Sequence, residues 1–453
     1  MATADEKATP VRAAGGGGDP GAATGRGSGR KAWGFTGLLM LLYVVNWGDR
    51  AVYGVVAQPL ADELGMTASD IGLVGSAFFL TFVVGSFCSA LLHRAFVVKW
   101  ALVVLAVAWA VAMLPMVFAA TFTVLLVSRM LLGFAEGPAS AMIHTAVYSW
   151  HPPEKRGLPS AIVISGASVG KIAVAPAMAV VVAVWGWRAA FLILAALGIA
   201  WCLVWVPTWQ DGPYGKETAA RATGDDADGA GAGPVHVAWS RILGSPTFLG
   251  ATTAIMAYYA TVAVVLTWLP SYFEVGLGYS RVQAGIMFGL PSVAGLALVF
   301  TASAVSDRLR SRGATSRMVR GIVPSAGLLA CGVLLALLPY VGAGWVAVAT
   351  VSIAYALGVS IAPLFNAALS EIVPSHQLAG TLGVFFGVMG IGGAIGPYLT
   401  GIIVENAASP AEGYELAFQI FGILALLGAV IALLTVNPER DKQRLLAAPA
   451  GPG

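Results

Sequence analysis

The chain runs to 453 residues, of which 58% are hydrophobic and only 10% charged, and its mean hydropathy is +0.82. A water-soluble protein of this length has no interior large enough to hide so much apolar side chain, so the composition points to a membrane protein. The net charge of +3 comes from scattered basic loops without aromatic interleaving, which argues against a nucleic-acid partner.

Residues 1–32, rich in Gly, Ala and Pro, are expected to form a disordered cytoplasmic tail, and they lack the apolar core of a secretory signal. Beyond them, runs of about 20 apolar residues, enough to cross a hydrocarbon core of about 30 Å, recur along the chain. They fall near 33–58, 70–92, 98–118, 121–148, 157–184 and 187–206, then 246–270, 281–305, 319–340, 344–372, 379–404 and 414–435. Between the sixth and seventh lies "KETAARATGDDADGAGAGPVH", a low-complexity stretch that reads as a flexible cytoplasmic loop within 208–243. Cys88, Cys202 and Cys331 all sit in apolar runs, with neither a disulfide framework nor a metal-ligand spacing, and no metal or cofactor is expected. The pattern predicts an all-α membrane protein of twelve transmembrane helices in two six-helix bundles, 33–207 and 244–436, with a cytoplasmic tail at 437–453.

Orientation follows from the basic residues, which concentrate in loops retained in the cytoplasm. Of the 25 Lys and Arg, Arg50, Arg129 and Lys171 lie within spans and Arg188 and Arg281 on the far side, leaving 20 on the side of the termini. Both termini are therefore expected in the cytoplasm, with the protein in the inner membrane as a monomer.

The two halves repeat. "GMTASDIG" from Gly65 opens the second span and "GYSRVQAG" from Gly278 the eighth, an offset of 213, and "GWRAAF" from Gly186 answers "GYELAF" from Gly413. Internal duplication with a binding site at the interface of the halves is the architecture of many secondary carriers.

With these residues in view, the chain resembles the major facilitator superfamily over all but its tails and central loop. "SDRLRSRG" after the eighth span resembles the family's cytoplasmic Asp-Arg signature; its first-half counterpart, "ALLHRAFVVK", departs from the pattern at His93 and Phe96. Arg129, Gly133 and Gly137 in "RMLLGFAEG" resemble a fourth-helix motif that the family associates with proton coupling. "DR" in the first span, "PPEKRGLPSA" and "GWRAAF" resemble the anion:cation symporter branch, whose members carry sugar acids, aromatic acids and other carboxylates, typically with protons. The Gly-Pro-containing antiporter signature is missing from "SGASVGKIAVAPAMA".

An ionisable group at mid-bilayer costs about 2.5–3.5 kcal/mol and needs a partner or a wet cavity. Taking Pro59 as the outer end of the first span places Arg50 about 13 Å down; Arg129 lies about 12 Å down the fourth, at 1.5 Å per residue. This pairs Asp49 with Arg129 and leaves Arg50 free for a carboxylate. Glu136, about 22 Å down, is level with Lys171, about 21 Å down, and the two are expected to bridge. Arg129, Gly133 and Glu136 share one helix face, expected to look into the central cavity. Asp49, Arg129 and Glu136 are thus assigned to proton coupling. Arg50 and Lys171 are assigned to the substrate, with Tyr43, Asn46, Trp47, Tyr258, Tyr259 and Asn366 as further lining residues. Each has a structural alternative: a static ion pair for the charged groups, packing or interfacial anchoring for the others. His144, near the cytoplasmic end of the fourth span, reads as a packed neutral imidazole.

Three buried cations against two carboxylates give +1, or +2 once Glu136 is protonated, so the cavity favours an anion. The sequence reads as a carrier importing a small organic anion with protons. The alternatives are a proton-coupled exporter of drugs or metabolites, a neutral-sugar carrier and a membrane enzyme, the last disfavoured by the lack of any catalytic motif.

Overall fold

A computed structural model describes residues 21–152, 155–214, 237–342 and 344–446, and among these the secondary structure is helical. The N-half holds α1 (Gly21–Leu64), α2 (Ala68–Phe87), α3 (Val98–Phe118), α4 (Phe122–Trp150), α5 (Gly157–Trp185) and α6 (Trp187–Thr208). The C-half holds α7 (Pro246–Gly276), α8 (Arg281–Ser306), α9 (Arg317–Ala336), α10 (Trp345–Ile372), α11 (Gly380–Asn406) and α12 (Pro410–Thr435). The eleven from α2 to α12 are long and apolar enough to cross a membrane. At 44 residues α1 has ample length, but Asn46, Asp49 and Arg50 lower its hydropathy.

Two expectations at the ends of the spans need correction. Helix α1 begins at Gly21, so residues 21–32 are not a disordered tail; once a helix is nucleated, each added residue gains a hydrogen bond. The loop expected at 208–243 is docked at both margins: Trp209 stacks on Trp205 at 4.3 Å, Tyr214 N–H donates to the Ser149 carbonyl at 2.9 Å, and Val237 N–H donates to Gln377. The C-terminal stretch carries a helix, Pro438–Leu446, whose Asp441 accepts a 2.8 Å hydrogen bond from Thr247 N–H at the start of α7. Residues 1–20, 215–236 and 447–453 of these segments lie outside the described residues, as do the side chains of His93 and Asp307 from the two loop signatures.

The internal repeat has a local cause. Gly65 and Gly278 take positive φ, 63° and 75°, a conformation that costs other residues a Cβ clash. Each is followed by an identical device: Thr67 with Asp70, and Ser280 with Gln283, form capping boxes that start α2 and α8. "GWRAAF" and "GYELAF" diverge instead, since Gly186 precedes α6 at φ 80° while Gly413 lies inside α12.

At the end of the bundle away from the termini the halves close on each other. Tyr398 N–H on α11 donates to Ser76 Oγ on α2 at 2.9 Å, and Glu405 accepts from the Ser69 amide at 3.0 Å and from its hydroxyl. Helices α2 and α11 stay in contact toward the other end, where Gly387 faces Phe87.

Candidate functional site

The buried charges gather at one level of the bundle, in an arrangement that depends on where α1 ends. Pro59 does not stop the helix, which runs on to Leu64. Arg50 therefore lies fourteen residues, about 21 Å, from that end, level with Glu136 on α4 and Lys171 on α5 rather than with Arg129. The partners change accordingly. Arg50 Nε donates to Glu136 Oε2 at 2.7 Å, with both side chains almost wholly buried, and Arg50 Nη2 donates to Asn46 Oδ1 at 3.1 Å.

The expected Asp49–Arg129 side-chain pair is not formed. Arg129 Nη1 reaches only the backbone carbonyl of Asp49, at 3.5 Å, and neither carboxylate oxygen of Asp49 has a hydrogen-bond partner. The guanidinium lies instead over Tyr53 and Phe78, 4.4 and 4.6 Å from the ring centroids. Nor does Lys171 bridge to Glu136. Its ammonium donates to the Tyr355 hydroxyl on α10 at 2.9 Å, so this contact spans the two halves. Lys171 sits in a π-helical turn, Gly170–Val174, inside α5. Such a turn adds a residue to the ring of each hydrogen bond and redirects the side chains that follow.

The face of α4 that carries Arg129, Gly133 and Glu136 was expected to line the central cavity, but it packs inside the N-half. A Cβ at Gly133 would fall on the Phe78 carbonyl oxygen of α2 and one at Gly137 on the Phe82 carbonyl, so the glycines four apart let the two backbones touch. That contact places Phe82 4.5 Å from the Arg50 guanidinium. Phe78 and Phe82 were missed in the sequence; their four-residue spacing on α2 was the available signal.

Of the remaining candidates, Trp47 is central: Arg50 lies 4.7 Å and Lys171 5.1 Å from its ring centroid. Tyr43 packs on Trp47 with centroids 6.3 Å apart. Tyr259 meets Phe79 across the halves at 6.0 Å. Tyr258 spends its hydroxyl on the Tyr355 carbonyl at 3.0 Å and so positions Tyr355 rather than facing the cluster. Asn366, with Oδ1 unpaired, is eleven residues beyond Tyr355 on α10, about 16 Å away along the helix, and is not brought to the cluster. His144 donates from Nδ1 to the Ser140 carbonyl at 2.7 Å and packs against Tyr148.

Donors without acceptors mark the same place. Asn46 Nδ2, Trp47 Nε1 and Arg129 Nε are buried and unpartnered, and so is one acceptor, the second oxygen of Glu136, whose first oxygen shares Arg50 with Asn46. A group rich in acceptor oxygens would satisfy the first two.

Comparison with known proteins agrees with this architecture. The family model described as Major Facilitator Superfamily matches residues 39–362 and 320–452. The probable sulfoacetate transporter SauU of Cupriavidus necator is 29% identical over 412 residues, covering 89% of this chain and 93% of that protein. The hexuronate transporter of Bacillus subtilis is 25% identical over 415 residues, covering 91% and 95%. Among solved structures, an inward-facing, unoccupied bacterial homolog of the human lysosomal transporter Spinster superposes with a TM-score of 0.71 at 18% identity, covering 93% of this chain and 99% of that one.

Proposed function

Because the chain belongs to the Major Facilitator Superfamily, and is thus a multi-pass membrane transporter, we propose that it imports a small organic anion together with protons by alternating access across the cytoplasmic membrane. The observation that carries this reading is the meeting of Arg50 and Lys171 on one indole at the interface of the halves, beside unpartnered donors. Two buried cations with spare donors favour an acid over a neutral sugar, and the relatives above are named for sulfoacetate and hexuronate, both organic anions. The basic-residue count supports cytoplasmic termini, which makes the closed end of the bundle the outer one.

In this mechanism the Arg50–Glu136 pair holds the empty carrier. A proton reaching Glu136 cancels its charge and frees the planar guanidinium fork for an incoming acid group. Asp49 and Arg129 belong to the same proton-coupling unit, Arg129 tying α4 to the α1 backbone beside Asp49. Rocking of the two halves then carries anion and proton inward, each binding only the states that admit it.

Glu136→Gln in proteoliposomes tests the coupling. The variant is expected to lose accumulation of labelled glucuronate or sulfoacetate driven by an imposed pH gradient while retaining counterflow exchange. Undiminished gradient-driven accumulation would refute the role of Glu136.

A further inference from the structure

Lys171 is the cation that the exchange between Arg50 and Glu136 does not use. It lies fourteen residues from each end of α5, about 21 Å either way, beyond what its own side chain spans, so it cannot reach water by snorkelling. Lys171 is 7% exposed, and its ammonium donates to a neutral hydroxyl. No carboxylate pairs with it among the described residues; the buried carboxylates of the cluster are Glu136, held by Arg50, and Asp49, beside Arg129. A buried ammonium without a counter-charge is costly, and the structure keeps one at the boundary between the halves, against the Tyr355 hydroxyl and the faces of Trp47 and Tyr355.

Its distance from Arg50 is bounded. Both cations lie on the Trp47 ring, at 5.1 and 4.7 Å from the centroid, so they stand less than about 10 Å apart. Charge-assisted hydrogen bonds of about 2.8 Å at each end leave at most about 4 Å between two acceptor oxygens placed between the cations, which admits a diacid with one or two carbons between its acid groups and excludes a longer one. The donors are distributed for such a molecule. Trp47 Nε1 belongs to the ring the cations share and lacks an acceptor, and Asn46 is held against Arg50 through its Oδ1. Tyr355, which accepts from Lys171, keeps its own hydroxyl proton to donate.

Resting on the organic-anion reading above, we propose that Arg50 and Lys171 form a two-point anchor selecting a short dianion. One acid group sits on the Arg50 fork and Asn46. The other sits on the Lys171 ammonium and the Tyr355 hydroxyl, and so ties α5 to α10 through the ligand. A monoanion satisfies one cation and leaves the other buried and unpaired.

The test is calorimetric titration of the full chain in nanodiscs with malonate, its monomethyl ester, adipate and gluconate. Wild type is expected to bind malonate at least tenfold tighter than the half-ester, equivalent to about 1.4 kcal/mol, and tighter than adipate, whose acid groups are too far apart. Lys171→Met is expected to bring malonate and half-ester within twofold of each other. Lys171→Arg, which keeps the charge, retains the preference and shows that the site still folds. Equal binding of malonate and half-ester by wild type, adipate equal to malonate, or an unchanged preference in Lys171→Met would each overturn the two-point anchor. Gluconate binding without any dianion preference would sink this inference and leave organic-anion transport standing. Failure of all four to bind would remove that reading and the inference with it.

Discussion

The Arg50–Glu136 pair yields a prediction whose size can be worked from the geometry. The contact of 2.7 Å between Arg50 Nε and Glu136 Oε2 puts the charge centres about 4 Å apart, and at an effective dielectric of about 20 their attraction is about 4 kcal/mol. Removing one partner leaves the other charge buried at a cost of about 3–5 kcal/mol, whereas removing both leaves no uncompensated charge. Arg50→Met and Glu136→Leu are therefore each expected to destabilise the folded carrier by about that amount, and the double variant by far less than the two together. Thermal unfolding in detergent, run on wild type, both single variants and the double, measures the coupling directly. Additive losses would show that the two side chains do not hold one another, and the proposed release of Arg50 by protonation of Glu136 would have no basis.

Two further expectations concern packing and gating. Gly133→Ala places a methyl group on the Phe78 carbonyl and should reduce yield and melting temperature sharply, while Gly383→Ala, with nothing within 4 Å of the added carbon, should change neither; equal behaviour would mean that α2 and α4 are not in backbone contact. The Ser69 hydroxyl and amide both donate to the Glu405 carboxylate and so clasp α2 to α11. Glu405→Ala should lengthen the distance between spin labels at positions 62 and 406 at neutral pH, and an unchanged distance distribution would remove the clasp from the gate.

The span pattern and the duplication were legible because both rest on local chemistry: apolar runs of bilayer length, and a left-handed glycine followed by a Ser or Thr cap at Gly65 and Gly278. The set of buried charges was legible for the same reason, since a charged residue inside an apolar run needs an explanation wherever it stands. Their pairing was not. Pro59 resembles a helix end because proline lacks an amide donor and crowds the carbonyl four residues before it, but α1 accommodates it and continues to Leu64. That difference of five residues moved Arg50 about 7 Å and exchanged its neighbours.

The reach of Lys171 was missed for a different reason. In "SGASVGKIAVAPAMA" the local mark of the π turn is Pro176, two residues beyond it and without an amide to donate, just as Pro324 stands two residues beyond the π turn Arg317–Ile322; packing against other helices constrains the turn as well. Gly170 supplies one such constraint: a Cβ there would press on the Val44 carbonyl oxygen of α1 at 2.9 Å, so α5 meets α1 closely at the residue before Lys171. On the far side of the turn Gly289 of α8 packs on the Ile172 backbone. Lys171 is thus held between a contact within its own half and a contact to the other half, and its ammonium crosses that boundary to Tyr355. A cation placed there responds to any movement of α5 against α10, so under the proposed two-point anchor the residue that selects the ligand also makes a contact that rocking of the halves would break.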